Sequence, residues 1–224
     1  MRVALLDDEV WIWLGPLPLT KTMVVTTLLS MALMVAAMWL ARAVVQRPDG
    51  KASAACRISV RFLQNLIRDA AGELSVPLEA FGGTLFLFIA GCALIGQLPG
   101  IEAPTSNLAT SSALACLVFF AVPIAGISRK GLRAYLKHYA RPNLLLAPLH
   151  LISEVSRALA LSLRLFGNMM SGHLVVALLV VLVGLLVPIP LMALDLLIGL
   201  LQAYIFTILA CVYVGSALRV GEEE

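Results

Sequence analysis

Arg164 stands inside Leu161-Ser-Leu-Arg-Leu-Phe-Gly-Asn-Met-Met-Ser-Gly-His173, and beyond His173 about twenty uncharged, mostly apolar residues pass before the next ionisable group, Asp195. A guanidinium keeps its proton at any accessible pH. Placing that charge at membrane depth costs about 2.5 to 3.5 kcal/mol on insertion scales, so an intramembrane arginine marks a functional site unless something else explains it. Any fold for this chain must therefore offer the charge a compensating environment.

A membrane is implied by the composition. The chain has 224 residues, of which 61% are hydrophobic and 13% charged, with a mean hydropathy of +0.98. That is about half the charged fraction of a typical soluble domain, usually about 25%. These values indicate a polytopic membrane protein, read as a single membrane domain over residues 1–224. Cys56, Cys92, Cys116 and Cys211 are far apart, with no Cys-x-x-Cys pair, and read as inert buried thiols. No cofactor or metal is expected. With Asp7, Asp8 and Glu9 where a signal peptide carries positive charge, the N-terminus does not read as a cleavable signal.

The expected architecture is all-α, with about five membrane helices. The first span covers Thr22 to Val44, followed by a two-faced segment from 56 to 74. There Arg57, Arg61, Gln64 and Arg68 share one side of a helix, and Phe62, Leu63, Leu66, Ala70 and Leu74 the other. This pattern fits an amphipathic helix on the membrane surface; a helix docked on a soluble partner predicts the same pattern. Spans 78–98 and 108–127 form a hairpin through Pro99-Gly-Ile-Glu-Ala-Pro-Thr-Ser-Asn107, whose Ser and Asn can cap the next helix. A basic loop carrying Arg129, Lys130, Arg133, Lys137 and Arg141 follows. Of 16 Lys and Arg, twelve fall in 42–68, in 129–141 and at Arg219, segments that the span count places on one side. The positive-inside rule makes that side cytoplasmic, with the N-terminus outside and the C-terminus inside.

The remaining chain reads as two long helices, 143–183 and 189–218, separated near Gly184. A helix of about forty residues is about 60 Å long, twice the hydrocarbon thickness, so it must tilt, bend or break. A steep tilt is favoured, because His150, Glu154, Arg157, Arg164 and Asn168 fall within about 80° on a helical wheel and a break would lose that phase. His173 lies about 180° from Arg164 on the same wheel. In the second helix Asp195, Gln202 and Tyr213 share a face. In an antiparallel hairpin, Arg164 opposite Gln202 implies a centre at residue 183, and His173 opposite Asp195 a centre at 184. Both pairings turn on Gly184, which puts four costly polar groups at matching depths.

Ser-Leu-Arg-Leu-Phe-Gly-Asn-Met-Met-Ser-Gly-His, followed some thirty residues on by Leu-Gln-Ala-Tyr-Ile-Phe, resembles the stator a subunit of the F-type ATP synthase, the membrane channel subunit beside the rotating c ring. Pro104-Thr-Ser-Asn-Leu108 and Val212-Tyr-Val-Gly-Ser216 are similar to the same family. The resemblance is strongest from 142 to 216, and nearest to the divergent bacterial branch called N-type ATPases, some of which are suspected of carrying sodium. It implies that Arg164 faces the rotor carboxylate, that Asn168 and Gln202 are its polar neighbours, and that His173 and Asp195 line a half-channel open to the outside. Many bacterial relatives have an acid first and a histidine second at those two positions; here the order is exchanged, as in the mitochondrial type. His150 stands where many relatives have Glu, and Glu154 follows one turn later, so the cytoplasmic entrance is chemically rearranged. The implied partners are the rotor c ring, the peripheral-stalk b subunits and the remainder of the synthase in a bacterial inner membrane, with no nucleic acid.

The physical chemistry of the residues is compatible with that role. A rotor carboxylate is neutral in lipid through desolvation and ionises beside a fixed cation, so Arg164 would force ion release. It would also repel a free cation, keeping an outer passage near His173 and Asp195 apart from an inner one near His150 and Glu154. Gly167, Ser171 and Gly172 would let a neighbouring helix approach closely. Duller explanations exist: Arg164 paired with Glu154 or Asp195, His173 as a satisfied interhelical histidine, Asn168 and Gln202 as interhelical hydrogen-bond glue. An independent secondary transporter or ion channel is the competing function; transporters often show internal repeats, and none is found. No Gly-x-x-x-x-Gly-Lys-Ser/Thr loop exists for nucleotide chemistry. The choice between proton and sodium is not legible in the sequence.

Overall fold

A computed structural model describes residues 10–14, 17–46, ten positions between 54 and 68, and residues 76–98, 103–131, 147–184 and 187–219. Five helices are long and apolar enough to cross a membrane. They are α1 (Lys21–Gln46), α2 (Val76–Ile95), α3 (Leu108–Lys130), α4 (Ala147–Val183) and α5 (Pro188–Arg219). The all-helical expectation lacked one element. A short antiparallel hairpin precedes α1, β1 (Val10–Leu14) pairing with β2 (Leu17–Thr20), with an irregular register between Val10 and Ile12. Val-Trp-Ile-Trp is rich in β-branched and aromatic residues, which favour a pleated strand over a helix. Thr20 ends the hairpin and accepts the Met23 N–H at 3.4 Å, so it caps the helix that follows.

Local chemistry accounts for the other boundaries. α2 ends in a turn where the N–H of Gln97 meets the Leu94 carbonyl at 3.2 Å and that of Leu98 the Ile95 carbonyl at 3.0 Å. A 3-10 turn, Pro104–Ser106, leads to Asn107, whose side chain accepts the Ala109 N–H at 2.8 Å and starts α3. Gly131 and Gly184, at φ +78° and +83°, stop α3 and α4 in a backbone region that glycine tolerates. The α3–α4 basic loop beyond Gly131 and the 220–224 tail lie outside the described residues. So does 143–146, the expected start of the fourth span.

α4 is unbroken over 37 residues. At 1.5 Å per residue it is about 55 Å long, so it must run obliquely through a core of about 30 Å. α5 is the central element, packing against α2, α3 and α4. Its Ala203, Phe206 and Ala210 meet Leu85 and Ile89 of α2, Ala115 and Val118 of α3, and Leu161 and Leu165 of α4. Small residues bring the helices close: a Cβ added at Gly199 would lie 2.8 Å from that of Ala93, and one at Gly82 only 2.6 Å from Cys211 Sγ. α1 is peripheral, touching α2 where Leu29 and Leu33 rest on Gly91.

Every described residue between 54 and 68 is helical. Leu63 and Ile67 turn inward onto Leu78, Cys211 and Val214, so the apolar side is docked on α2 and α5, while Arg57, Arg61 and Arg68 are exposed. Arg68 pairs with Glu79 on the first turn of α2 at 3.1 Å, and Gln64 donates to the other Glu79 oxygen at 2.8 Å. The polar face thus pins this segment to the start of α2.

Candidate functional site

The inward face of α4 is set by Leu161, Leu165 and Met169, all buried. On a helical wheel Arg164 falls about 60° round from Leu161, at the border of that face. There it is exposed, between the buried face and the outward-facing Leu163. Among the described residues Arg164 has neither a hydrogen bond nor an acidic partner, in contrast to Arg68, which pairs with Glu79. The structural pairing with Glu154 or Asp195 is therefore not the arrangement found.

Asn168, one turn on, is also exposed, and donates through Nδ2 to Gln202 Oε1 at 3.0 Å. Gln202 is buried at 2% exposure, and its Nε2 is without a partner among the described residues. Burying an unpaired amide donor costs free energy, so this group marks a polar spot beside Asn168, one helical turn from the exposed arginine.

The second cluster lies toward Gly184. Asp195 of α5 is pressed against Gly172 of α4, where any Cβ would collide with the carboxylate. Gln97, in the turn after α2, donates to Asp195 Oδ2 at 3.2 Å. His173 rests on Gly96, its Cε1 and Nε2 each 3.0 Å from where a Cβ would stand. The two midpoints implied by the contacts Asn168–Gln202 and Gly172–Asp195 fall within one residue of Gly184, so the hairpin reverses where the sequence expectation put it. The partners differ by a turn or a residue: Asn168 rather than Arg164 bonds Gln202, and Gly172 rather than His173 meets Asp195.

At the opposite end of α4, Arg157 lies over the Tyr213 ring at 4.2 Å, a cation–π contact. Both line a cleft with Glu154, Ala115, Val118 and Phe119. Its interior is about 20 Å³ measured at water centres, room for about one water. His150 is on the first turn of α4, and its side chain lies outside the described residues. The glycines divide: Gly172 makes the close approach expected of it, but a Cβ at Gly167 would meet nothing within 4 Å. Among the described residues no helix packs there, and Gly167 is exposed like Arg164.

Gln97 and Gly96 are the site residues that the sequence did not disclose. A polar amide ending an apolar span reads as a terminus, and nothing in the sequence links it to a carboxylate 98 positions away.

Comparison with known proteins gives consistent matches. A sequence profile of the ATP synthase A chain family matches residues 23–215. ATP synthase subunit a 2 of Bradyrhizobium sp. is 40% identical over 97% of this chain and 97% of its own length. ATP synthase subunit a 2 of Picosynechococcus sp. is 42% identical over 92% of this chain and 89% of its own. ATP synthase subunit a of Albidiferax ferrireducens is 51% identical over a shorter stretch, 62% of this chain and 60% of its own.

Proposed function

The chain belongs to the ATP synthase A chain family, and from that premise we propose that it passes protons or sodium ions through two offset half-channels to and from a rotor carboxylate. In this role it is a multi-pass membrane subunit of the Fo sector, beside the c ring and held by the peripheral stalk. The chemistry of ATP then belongs to other subunits.

The observation that carries this reading is Arg164, exposed in the middle of an apolar helix with no anionic partner among the described residues. A charge so placed calls for a carboxylate from another polypeptide. Its position along α4 suits a barrier between two passages, since seven residues separate it from Arg157 and eight from Gly172, a rise of about 10 to 12 Å either way. The cluster of His173 and Asp195 forms the passage to the outside, and the cleft at Glu154, with His150 one turn before, forms the passage to the cytoplasm. Between them the fixed cation repels a free ion, so an ion crosses only on the rotor. A rotor carboxyl that arrives neutral ionises beside Arg164 and releases its ion; Asn168 and the unpaired Nε2 of Gln202 are hydrogen-bond donors beside that encounter. The distribution of basic segments favours an N-terminus outside and a C-terminus in the cytoplasm.

Arg164→Ala is expected to abolish ATP-driven ion uptake into inverted membrane vesicles while the assembled complex is retained. Coupled uptake at the unsubstituted level would remove the basis for the assignment. An independent channel or transporter would, by contrast, conduct when reconstituted without the other subunits.

A further inference from the structure

The turn after α2 addresses both ionisable groups of the outer cluster with two adjacent residues. Gly96 leaves the space that the His173 ring occupies, and Gln97 reaches Asp195. The turn is rigidly tied, with the Gly96 N–H on the Cys92 carbonyl at 3.0 Å and those of Gln97 and Leu98 on Leu94 and Ile95. The Gln97 side chain therefore starts from a fixed point. On its other side the Asp195 carboxylate has no freedom to retreat, because Gly172 is already in contact with it.

We propose that Gln97 is a positioning residue for ion transfer in the outer passage, its amide holding the Asp195 carboxylate between the α2 turn and α4 beside His173. The inference rests on the half-channel reading of His173 and Asp195. An amide suits this role because it donates at every pH and does not itself take up or release the transported ion. With Oδ2 of Asp195 held by Gln97 and Oδ1 set against Gly172, the carboxylate is fixed in one orientation. A leucine of similar size at 97 would fill the space and leave the carboxylate free to rotate. A glutamate would donate only while protonated, and two carboxyl groups at hydrogen-bond distance share a proton rather than both ionise.

The titratable groups facing this pair are His173 from α4 and Asp195 itself from α5; Glu102, between α2 and the 3-10 turn, lies outside the described residues. The test uses the whole complex in inverted vesicles, with uptake normalised to assembled complex and the pH of the lumen, which corresponds to the outside, set between about 5 and 8, the interval in which histidine titrates. Gln97→Leu is expected to lower ATP-driven uptake about tenfold, the scale of one lost hydrogen bond to a charged group, at every lumenal pH. Gln97→Glu, of the same shape, is expected to match the unsubstituted complex at the acid end and to lose uptake as the pH rises. A purely structural role would move the two variants alike, without pH dependence. Gln97→Glu behaving as the unsubstituted complex across the whole range would overturn the proposal, and that holds even if Gln97→Leu fails to assemble. Arg164→Ala, run in parallel, separates the two levels: if it pumps, the half-channel reading itself fails; if it does not and Gln97→Glu is unaffected, only the role of Gln97 fails.

Discussion

At the scale of single residues, the chain keeps its costly polar groups in two different states. Asp195 is held by Gln97 and Gly172, whereas Arg164 is left without an acid among the described residues. Under the proposed function, a held group would serve transfer at a fixed geometry and a free cation a partner that comes and goes. Gly172→Val is expected to displace Asp195, because its Cβ would occupy the carboxylate's place. ATP-driven uptake should then fall at least about tenfold, since a misplacement of about 1 Å is enough for such losses; uptake within twofold of the unsubstituted complex would mean that Asp195 can move without consequence. For His173→Ala, ATP-driven uptake should fall by a graded amount and change its dependence on lumenal pH, because the substitution removes an ionisable group. An unchanged profile would leave His173 as a packing residue on Gly96.

At the scale of elements, the α4–α5 hairpin has a packed side and an open one, and glycines report which is which. A Cβ added at Gly199 would lie 2.8 Å from Ala93 and 3.2 Å from Met169, while one at Gly167 would meet none of the described residues within 4 Å. Gly199→Val should destabilise the helix bundle by about 1 to 3 kcal/mol, the usual cost of overpacking, seen as a lower melting temperature of the detergent-solubilised subunit. Gly167→Val should leave that melting temperature within about 1 °C, a ΔΔG within the range of benign surface changes, yet impair pumping, because the open side is where the rotor is expected. Full pumping by Gly167→Val would place the rotor on another face. The 54–68 segment teaches a related point. Its two-faced pattern was legible, but a helical moment does not say what covers the apolar face. Leu63 and Ile67 dock on α2 and α5, and the clamp of Gln64 and Arg68 on Glu79 holds them there.

At the scale of the whole molecule, the distribution of basic segments predicts an orientation that labelling can test. With the four native cysteines replaced by alanine, Ser128→Cys near the end of α3 should react with a membrane-impermeant thiol reagent in inverted vesicles, whose exposed face is cytoplasmic. Val187→Cys, in the turn between α4 and α5, should react only in right-side-out vesicles. The reverse pattern would invert the positive-inside assignment.

The number of spans, the unbroken fourth helix and the reversal at Gly184 were present in the sequence, because each is a local or periodic property of an apolar chain: a run long enough to cross lipid, a polar stripe in constant phase, a glycine where the backbone must reverse. The polar stripe of α4 likewise singled out Glu154, Arg164 and Asn168 as candidates without any knowledge of neighbours. The tertiary structure alone decided which of those groups touch. Gln97 reaching Asp195, Gly96 receiving His173 and Arg157 lying on Tyr213 join residues from separate helices. Such contacts depend on helix rotation and on the close approach that small residues permit, and these are settled only when all the helices pack against one another.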